Sequence, residues 1–478
     1  MSASPAGLWM LLVLAVLILR SGLPVWALLI ATASVFAVLG CAMGNMDVHV
    51  LTALSGRMLG LLNNDLLQAL PLYVLIGVLL SRLRVAEALF CVMARLLHRT
   101  GAGASLSSLG IGLVLSPMNG SVASSSALVA RVLGSRLSAM KPSDAIALLS
   151  VSATIGVVVP PSLVLILLGD AMLQAHTEAS NLGGYALGLQ RIINTQDVFH
   201  AAVLPAAMVL LLWAAIAWWR GRRATAAARP VAAPVVEPGH GFLALAAFAG
   251  IGLLLGAVFL GKVLAVEASA TGCLVLMLLA GLSRRLDAVQ WRAVFTETME
   301  LSGALLALLV GASTFSLVFQ LFGTTQWIAQ GIHQSGLMPH TTAALVLLGV
   351  AVCALVMDAF ELIFVIAPIL APPLIVSLGD AQQAAVLLLL VIQTGYLIPP
   401  VGYAVILARR HCGGADVGRA ALMRSLLPYG VAQCLVIAAV FFAPALVHVL
   451  DSESAARSNA SAADIEQQMR DMSEPSRP

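Results

Sequence analysis

Long apolar runs recur along almost the whole chain, separated by short polar stretches. A helix needs about 20 apolar residues to cross a bilayer, and it satisfies all of its own backbone groups in lipid. We therefore predict an all-α polytopic membrane protein. The predicted apolar segments lie at about 6–20, 24–43, 69–81, 105–140, 144–169, 198–219, 241–261, 264–282, 301–322, 341–378, 383–408 and 427–449.

Two of these segments, 105–140 and 341–378, are too long for a single span. Each carries a polar or Gly/Pro-rich break in its middle, which favours a re-entrant helical hairpin over one tilted helix. Two other segments contain a Gly, three residues and a Pro-Pro pair, as GVVVPP from Gly156 and GYLIPP from Gly395. Because proline breaks a helix and removes a backbone donor, we predict two interrupted helices at 144–169 and 383–408.

Arginines, which favour the cytoplasmic side of a membrane, suggest the orientation of the segments. They flank 105–140 on both sides, so that hairpin is predicted to enter from the cytoplasm, whereas 170–197 and 323–340 are predicted to lie outside. We divide the chain into halves at 1–219 and 241–449, joined by a basic, then Ala/Pro-rich cytoplasmic linker at 220–240. The tail at 450–478 is predicted to be disordered. Leu8 to Leu19 is predicted to belong to a first span and not to a cleaved signal peptide.

The two halves repeat at a fixed interval. Asn119 precedes Pro160 by 41 residues, and Asp358 precedes Pro399 by the same 41 residues. Both intervals follow from a shift of 239 positions, which also places Gly156 on Gly395. The first hairpin starts inside and the second outside, so we predict an inverted repeat, an arrangement typical of secondary transporters.

The composition agrees with this fold and excludes several chemistries. Hydrophobic residues make up 60% of the chain and charged residues 10%, against about 25% charged in soluble domains. The six cysteines are far apart, with no CxxC, and neither HExxH nor GxSxG occurs. GAVFLGKV resembles the start of a nucleotide-binding loop, but it closes an apolar span and lacks the Ser/Thr after Lys262. We predict neither an enzyme nor a nucleic-acid partner, and no tightly bound cofactor.

The breaks supply the candidate binding groups. Half-helix N-termini favour anions, whereas unwound carbonyls and oxygen-bearing side chains favour hard cations such as sodium. An intramembrane carboxylate is itself a functional candidate. The substrate-binding candidates are Asn119, Gly120, Ser121, Pro160, Pro161, Asp358, Glu361, Gln393, Pro399 and Pro400. The sodium candidates are Asn119, Ser152, Thr154, Gly156, Asp358, Thr394 and Gly395.

Each candidate also has a plainer structural interpretation. The serines at 124–126 bond back to their own helix or allow close packing. In this interpretation, Gln393 only forms an interhelical hydrogen bond, and Glu361 caps a helix or pairs within the protein. The proline pairs are then simple kinks without a binding role. The residue pattern leaves these alternatives open.

Several stretches resemble the large membrane subunit of tripartite ATP-independent periplasmic (TRAP) transporters. They are LSVSATIGVVVPPSLVLILLGDAM, VMDAFELIFVIAPILAPPL, QTGYLIPPVGYAVIL and AVEASATGCL, and the resemblance covers about 8–449. It implies a bacterial inner-membrane, sodium-coupled symporter whose organic-acid substrate arrives on a separate periplasmic binding protein. It also implies a small four-helix membrane subunit and an elevator mechanism, in which a transport domain slides against a scaffold in the lipid bilayer.

The resemblance also implies where sodium binds. The sodium ligands of the family come from the hairpin tips and unwound segments, here the Asn119 region, 154–156, the Asp358 region and 394–395. The first tip, PMNGSVASSSA, departs from the small residues around Ser-Gly-Ser that the family commonly has there. The glutamate at position 361 resembles one branch of the family, which is associated with 2-oxo acids and with aromatic or other hydrophobic carboxylates.

The expected function is sodium-coupled import of a small organic anion by elevator alternating access. One alternative is a self-sufficient ion antiporter or anion symporter in which Asp358 or Glu361 carries a proton. A second is a membrane enzyme or a non-transporting scaffold, against which the missing catalytic motifs and the paired breaks argue.

Overall fold

The computed structural model describes most of the chain. The described residues are 5–44, 52–63, 65–83, 85–119, 121–133, 140–180, 193–227, 240–282, 286–334, 338–355, 357–399, 402–412 and 417–450. Two predicted site residues, Gly120 and Pro400, lie outside them, as do most of the predicted linker and the tail from 451.

The described residues form helices and no strands, as the apolar pattern predicts. The first half contains α1 Ala6–Ser21, α2 Val25–Ala42, α3 Ala53–Leu62, α4 Asp65–Arg82, α5 Val85–Leu96, α6 Gly103–Asn119, α7 Val122–Leu133, α8 Pro142–Val158, α9 Leu163–Ser180 and α10 Thr195–Ala227. The second half contains α11 His240–Phe259, α12 Ala265–Leu282, α13 Ala288–Leu321, α14 Thr324–Gln334, α15 Pro339–Cys353, α16 Ala359–Leu378, α17 Ala381–Leu397, α18 Tyr403–His411 and α19 Arg419–Phe442. Seven of these helices in the described part are long and apolar enough to cross a membrane.

All four predicted breaks separate two helices. The segment 105–140 contains α6 and α7, and 341–378 contains α15 and α16, with each pair packed together. The segment 144–169 becomes α8 and α9, bent by 45° at the first proline pair. The segment 383–408 becomes α17 and α18, on either side of the second pair.

Several predicted boundaries were wrong because they followed hydropathy alone. Helices α3, α5 and α14 were missed, and α9 continues to Ser180 through what was predicted to be an outside loop. Helix α10 runs to Ala227, so the start of the predicted linker is helical. Helix α13 begins at Ala288, where an Asp287–Gln290 capping box starts it within a polar stretch.

The helices fall into two groups by their packing partners. In the scaffold group, α2 packs on α13, and α4 packs on α12 and α13. In the hairpin group, α6 and α7 pack on α8, α9 packs on α16, and α10 and α17 pack on α19. Helix α11 packs on α12 and so belongs to the scaffold group. The two groups meet directly where α4 contacts α6 and α13 contacts α16, and the short helices α5 and α14 each contact both groups.

The most completely buried helices are α8 and α17 of the hairpin group. Every residue of α8 from Ala145 to Val158 is buried, and in α17 only Gln382 and Thr394 are not. Helices that are apolar on all sides belong inside a bundle. The interrupted helices are thus shielded from lipid by their neighbours, as their free backbone groups require.

Helix boundaries recur at the interval found in the sequence. Helices α8 and α17 have 17 residues each and lie 239 positions apart at both ends. The ends of α4 and α13, and the starts of α5 and α14, are separated by the same interval.

Candidate functional site

The chain leaves helical geometry in the same way at both proline pairs. After α8, Val159 is extended, with φ −81° and ψ 117°. After α17, Ile398 is extended, with φ −74° and ψ 109°. The Pro160–Pro161 peptide bond is cis, and Ser162 Oγ then accepts a hydrogen bond from Leu165 N (3.3 Å) at the start of α9. Both breaks therefore place non-helical backbone beside a buried helix end.

The hydroxyl groups predicted on α8 are fully buried and already engaged. Ser152 Oγ lies 2.8 Å from Ser108 Oγ on α6, and Thr154 Oγ1 donates to Val151 O at 3.0 Å. On α17, Thr394 Oγ1 donates to Leu390 O at 2.8 Å. Because a hydroxyl oxygen keeps lone pairs after donating, each can still accept a hydrogen bond or ligate a cation.

The two predicted glycines allow helices to approach closely. A Cβ on Gly156 would lie 2.4 Å from the carbonyl carbon of Ser116, against α6. A Cβ on Gly395 would lie 2.4 Å from the Cβ of Ala354, just beyond α15. Each interrupted helix therefore contacts the first helix of its own hairpin through a glycine, and any ligand role would use the glycine carbonyl.

Gln393 connects the two interrupted helices. Its Nε2 donates to Thr154 O at 3.1 Å, and its Oε1 accepts from Gln433 Nε2 at 2.8 Å. Gln393 is 1% exposed and Gln433 is not exposed at all. The predicted interhelical hydrogen bond of Gln393 is present, and it joins the breaks of the two halves directly. Gln433 was missed, although a glutamine inside an apolar span is the signal that could have identified it.

The first hairpin tip is described in part. Asn119 ends α6, and its side chain lies outside the described atoms. Ser121 Oγ accepts from Ala123 N (3.2 Å) at the start of α7. Ser124 Oγ bonds back to Ser121 O, as its plainer interpretation predicts, whereas the buried hydroxyls of Ser125 and Ser126 have no partner among the described residues.

The second hairpin tip gathers acidic and phenolic groups. Asp358 caps the start of α16, and its backbone N–H donates to Glu361 Oε2 at 3.0 Å. Both carboxylates lie close enough to Tyr396 and Tyr403 to interact electrostatically with their hydroxyl groups. The rings of these tyrosines, which flank the second proline pair, lie 6.2 Å apart. Sequence reasoning missed both tyrosines, whose aromatic character is typical of any apolar span.

Two buried polar atoms at this tip remain unsatisfied. Asp358 Oδ1 and Tyr396 Oη have no hydrogen-bond partner among the described residues, and Tyr396 is not exposed at all. Unpaired buried polar atoms are costly, and a ligand, an ion or an ordered water molecule satisfies such atoms. The described residues hold no group of three His, Cys, Asp or Glu side chains that could bind a transition metal. Carboxylate, hydroxyl and carbonyl oxygens, which are present here, are the ligand types that hard cations prefer.

The comparisons with known proteins agree with this architecture. The family model described as "Tripartite ATP-independent periplasmic transporter, DctM component" matches residues 11–446. No curated protein matches the sequence.

Two solved transporter structures resemble the fold. The YdaH transporter of Alcanivorax borkumensis aligns with a TM-score of 0.52 at 17% identity, covering 84% of this chain and 90% of that one. MtrF of Neisseria gonorrhoeae, assigned to a class of antimetabolite efflux pumps, aligns with a TM-score of 0.51 at 15% identity, covering 82% and 83%. At these identities the likeness concerns the fold alone.

Proposed function

The chain belongs to the DctM component family of tripartite ATP-independent periplasmic transporters, and we propose that it imports a small organic anion in symport with sodium. Members of this family are multi-pass permeases of the inner membrane, and they work with a small membrane subunit and a periplasmic binding protein. In the proposed cycle, the binding protein delivers the solute, the two breaks hold solute and sodium, and the hairpin group moves them inward.

The hydrogen bond from Gln393 to Thr154 is the observation that carries the proposal. These residues are 239 positions apart, the interval that relates the helix ends of the two halves. Two positions related by an internal twofold axis approach each other only close to that axis. The contact therefore supports an inverted repeat whose two breaks meet at one central site, the arrangement that secondary transporters use.

The charge at the second break supports a coupling cation. Asp358 and Glu361 are neighbours on α16, and the sequence from 341 to 378 contains no lysine or arginine. Buried carboxylates need a counter-charge, because removing them from water costs several kcal/mol each. Asp358 and the carbonyls beside Thr394 and Gly395 would hold sodium, with Asn119, Ser152, Thr154 and the Gly156 carbonyl as first-half candidates. The half-helix N-termini beside Ser121 and the Pro160–Pro161 pair favour the carboxylate of the solute.

The division of the helices supports elevator motion. The hairpin group holds both tips and both proline pairs, and it meets the scaffold group through the short helices α5 and α14 and through contacts of α4 with α6 and of α13 with α16. The groups also meet at the predicted outer face, where Gln320 of α13 donates to Glu178 of α9 and accepts from Arg57 of α3. A sliding movement of the hairpin group must break this contact.

Reconstitution tests the proposal. The chain and its small subunit are placed in liposomes, and uptake of labelled carboxylates is measured with and without the binding protein and an inward sodium gradient. We expect uptake to require both. Uptake that proceeds equally without sodium would overturn the sodium coupling.

A self-sufficient ion antiporter or anion symporter is the second candidate. The adjacent carboxylates of Asp358 and Glu361 favour it, because one proton shared between two buried acids would reduce their repulsion. Uptake driven by a pH gradient, without sodium or binding protein, would support it. Membership of a transporter family argues for a transporter and against an enzyme.

A further inference from the structure

The unsatisfied atoms at the second break are a matched donor and acceptor. Tyr396 Oη carries a proton to donate, and ionised Asp358 Oδ1 can only accept. Both atoms are buried, and they belong to chain segments that pack together, since Gly395, next to Tyr396, lies against Ala354, four residues before Asp358. They share no hydrogen bond with each other or with any other described residue.

Glu361 is engaged in part by the backbone of the same tip. Glu361 Oε2 accepts from the backbone N–H of Asp358, which fixes the start of α16. A ligand that enters the break therefore meets the buried acceptor Asp358 Oδ1 and the buried donor Tyr396 Oη, with a second acidic side chain beside them.

We propose that Asp358 and Tyr396 recognise a hydroxyl group on the transported carboxylate, so that the solute is a hydroxy acid. This inference rests on the proposed function. The solute hydroxyl donates to Asp358 Oδ1 and accepts from Tyr396 Oη, and the other carboxylate oxygen of Asp358 is left for the sodium ion.

Other substituents fit the pair less well. A keto oxygen accepts from Tyr396 but offers no hydrogen-bond donor to Asp358 Oδ1. An ammonium group donates to Asp358 but cannot accept from Tyr396. A second carboxylate is repelled by both acids, because like charges close together in a poorly solvated site disfavour each other. The carboxylate of the solute consequently points away from α16, toward the breaks of the first half.

The test compares sets of carboxylates that differ only at the carbon next to the carboxyl group. The three-carbon set is lactate, propionate, pyruvate and alanine, and longer sets extend it to six carbons. Binding to the purified complex of the chain and its small subunit is measured in sodium by ligand-dependent thermal stabilisation. This measurement avoids selection by the binding protein. The variant is Tyr396→Phe, which removes one oxygen and keeps the ring, and the control is Tyr73→Phe, the same change in buried α4 of the scaffold group.

We expect the hydroxy acid of the best-fitting set to bind most tightly to the wild type. Tyr396→Phe should weaken its binding roughly 10- to 100-fold and leave the unsubstituted acid within about twofold. Tyr73→Phe should change neither.

Three results would overturn the inference. If Tyr396→Phe weakens the binding of all members of a set equally, the Tyr396 hydroxyl contributes to sodium binding, to a water site or to folding, and it does not recognise the substituent. If the substitution weakens the binding of none of them, or if the wild type does not prefer the hydroxy acid, Asp358 and Tyr396 do not recognise a hydroxyl group on the solute. These results leave sodium-dependent carboxylate binding intact, whereas the absence of any such binding would overturn the proposed function as well.

Discussion

At the scale of single residues, the site is distinguished by which polar atoms are already paired. The hydroxyls of Ser152, Thr154 and Thr394 bond within the protein, whereas Asp358 Oδ1 and Tyr396 Oη have no partner in the described part of the chain. The sequence predicted Ser152, Thr154 and Thr394 because they stand shortly before proline pairs in apolar runs, and Asp358 because it is a carboxylate inside an apolar segment. It could not distinguish paired from unpaired atoms, because pairing depends on neighbours distant in sequence.

Replacing Asp358 by Asn should weaken the dependence of transport on sodium. The substitution keeps the size of the side chain but removes the charge that would hold the cation. We expect the sodium concentration for half-maximal uptake to rise at least about tenfold. The control is Asp287→Asn, which changes another helix-capping aspartate at the start of α13. Unchanged sodium dependence of Asp358→Asn would argue against a cation site there.

Replacing Gly156 by Ala should destabilise the protein. Its Cβ would meet the backbone of Ser116 at 2.4 Å, so α6 and α8 would have to separate. Overpacking of this kind costs about 1–3 kcal/mol, which a lower thermal unfolding midpoint would report. Gly250→Ala on α11 is the matched control, because a Cβ there meets no heavy atom within 4 Å. Equal midpoints for the two variants would contradict the close approach.

At the scale of elements, the helix breaks follow from the local sequence, whereas several whole helices depend on packing against their neighbours. The breaks at 159–162 and 398–402 were predicted from Gly, Pro and apolar runs, because proline acts on its own turn of helix. The amphipathic helices α5 and α14 were not predicted, since they are less apolar and are stabilised by α6, α11 and α13. The full length of α13 was missed because its first turns are polar.

Replacing Pro160 and Pro161 together by Ala should impair transport more than folding. Alanines at these positions would allow α8 and α9 to join into one continuous helix. The backbone groups that are free at the break would then form helical hydrogen bonds and could no longer bind a ligand. We expect substantial loss of uptake with the complex still assembled, measured as initial rate and as monodisperse yield. Pro205→Ala is the control, because α10 is continuous despite its proline. Wild-type uptake by the double variant would remove the interrupted helix from the mechanism.

At the scale of the whole molecule, the proposed elevator makes the contact between Glu178 and Gln320 specific to one state. The two side chains belong to different helix groups and bond directly at the predicted outer face. A covalent link between the groups at this point would hold the hairpin group in one position.

Linking the groups should therefore stop transport. Cysteines at positions 178 and 320, in a chain whose six native cysteines are replaced, are joined by a reducible thiol cross-linker. We expect uptake to fall to background and to recover after reduction.

The control pair joins positions 144 and 425, where Ser425 Oγ donates to Asp144 Oδ1 at 2.8 Å within the hairpin group. A link at 144 and 425 should leave uptake intact. Continued uptake with positions 178 and 320 fully linked would contradict the sliding movement.

The sequence by itself determined the membrane fold, the two hairpins' break points and the interval of 239 between halves, because apolar length and proline chemistry act locally. Only the tertiary structure decided which groups meet. It paired Gln393 with Thr154 and Gln433, set Gly156 and Gly395 against their hairpins, and brought Tyr396 to the acidic tip. Those contacts join residues up to 239 positions apart, and helix packing, which no local pattern encodes, selects them.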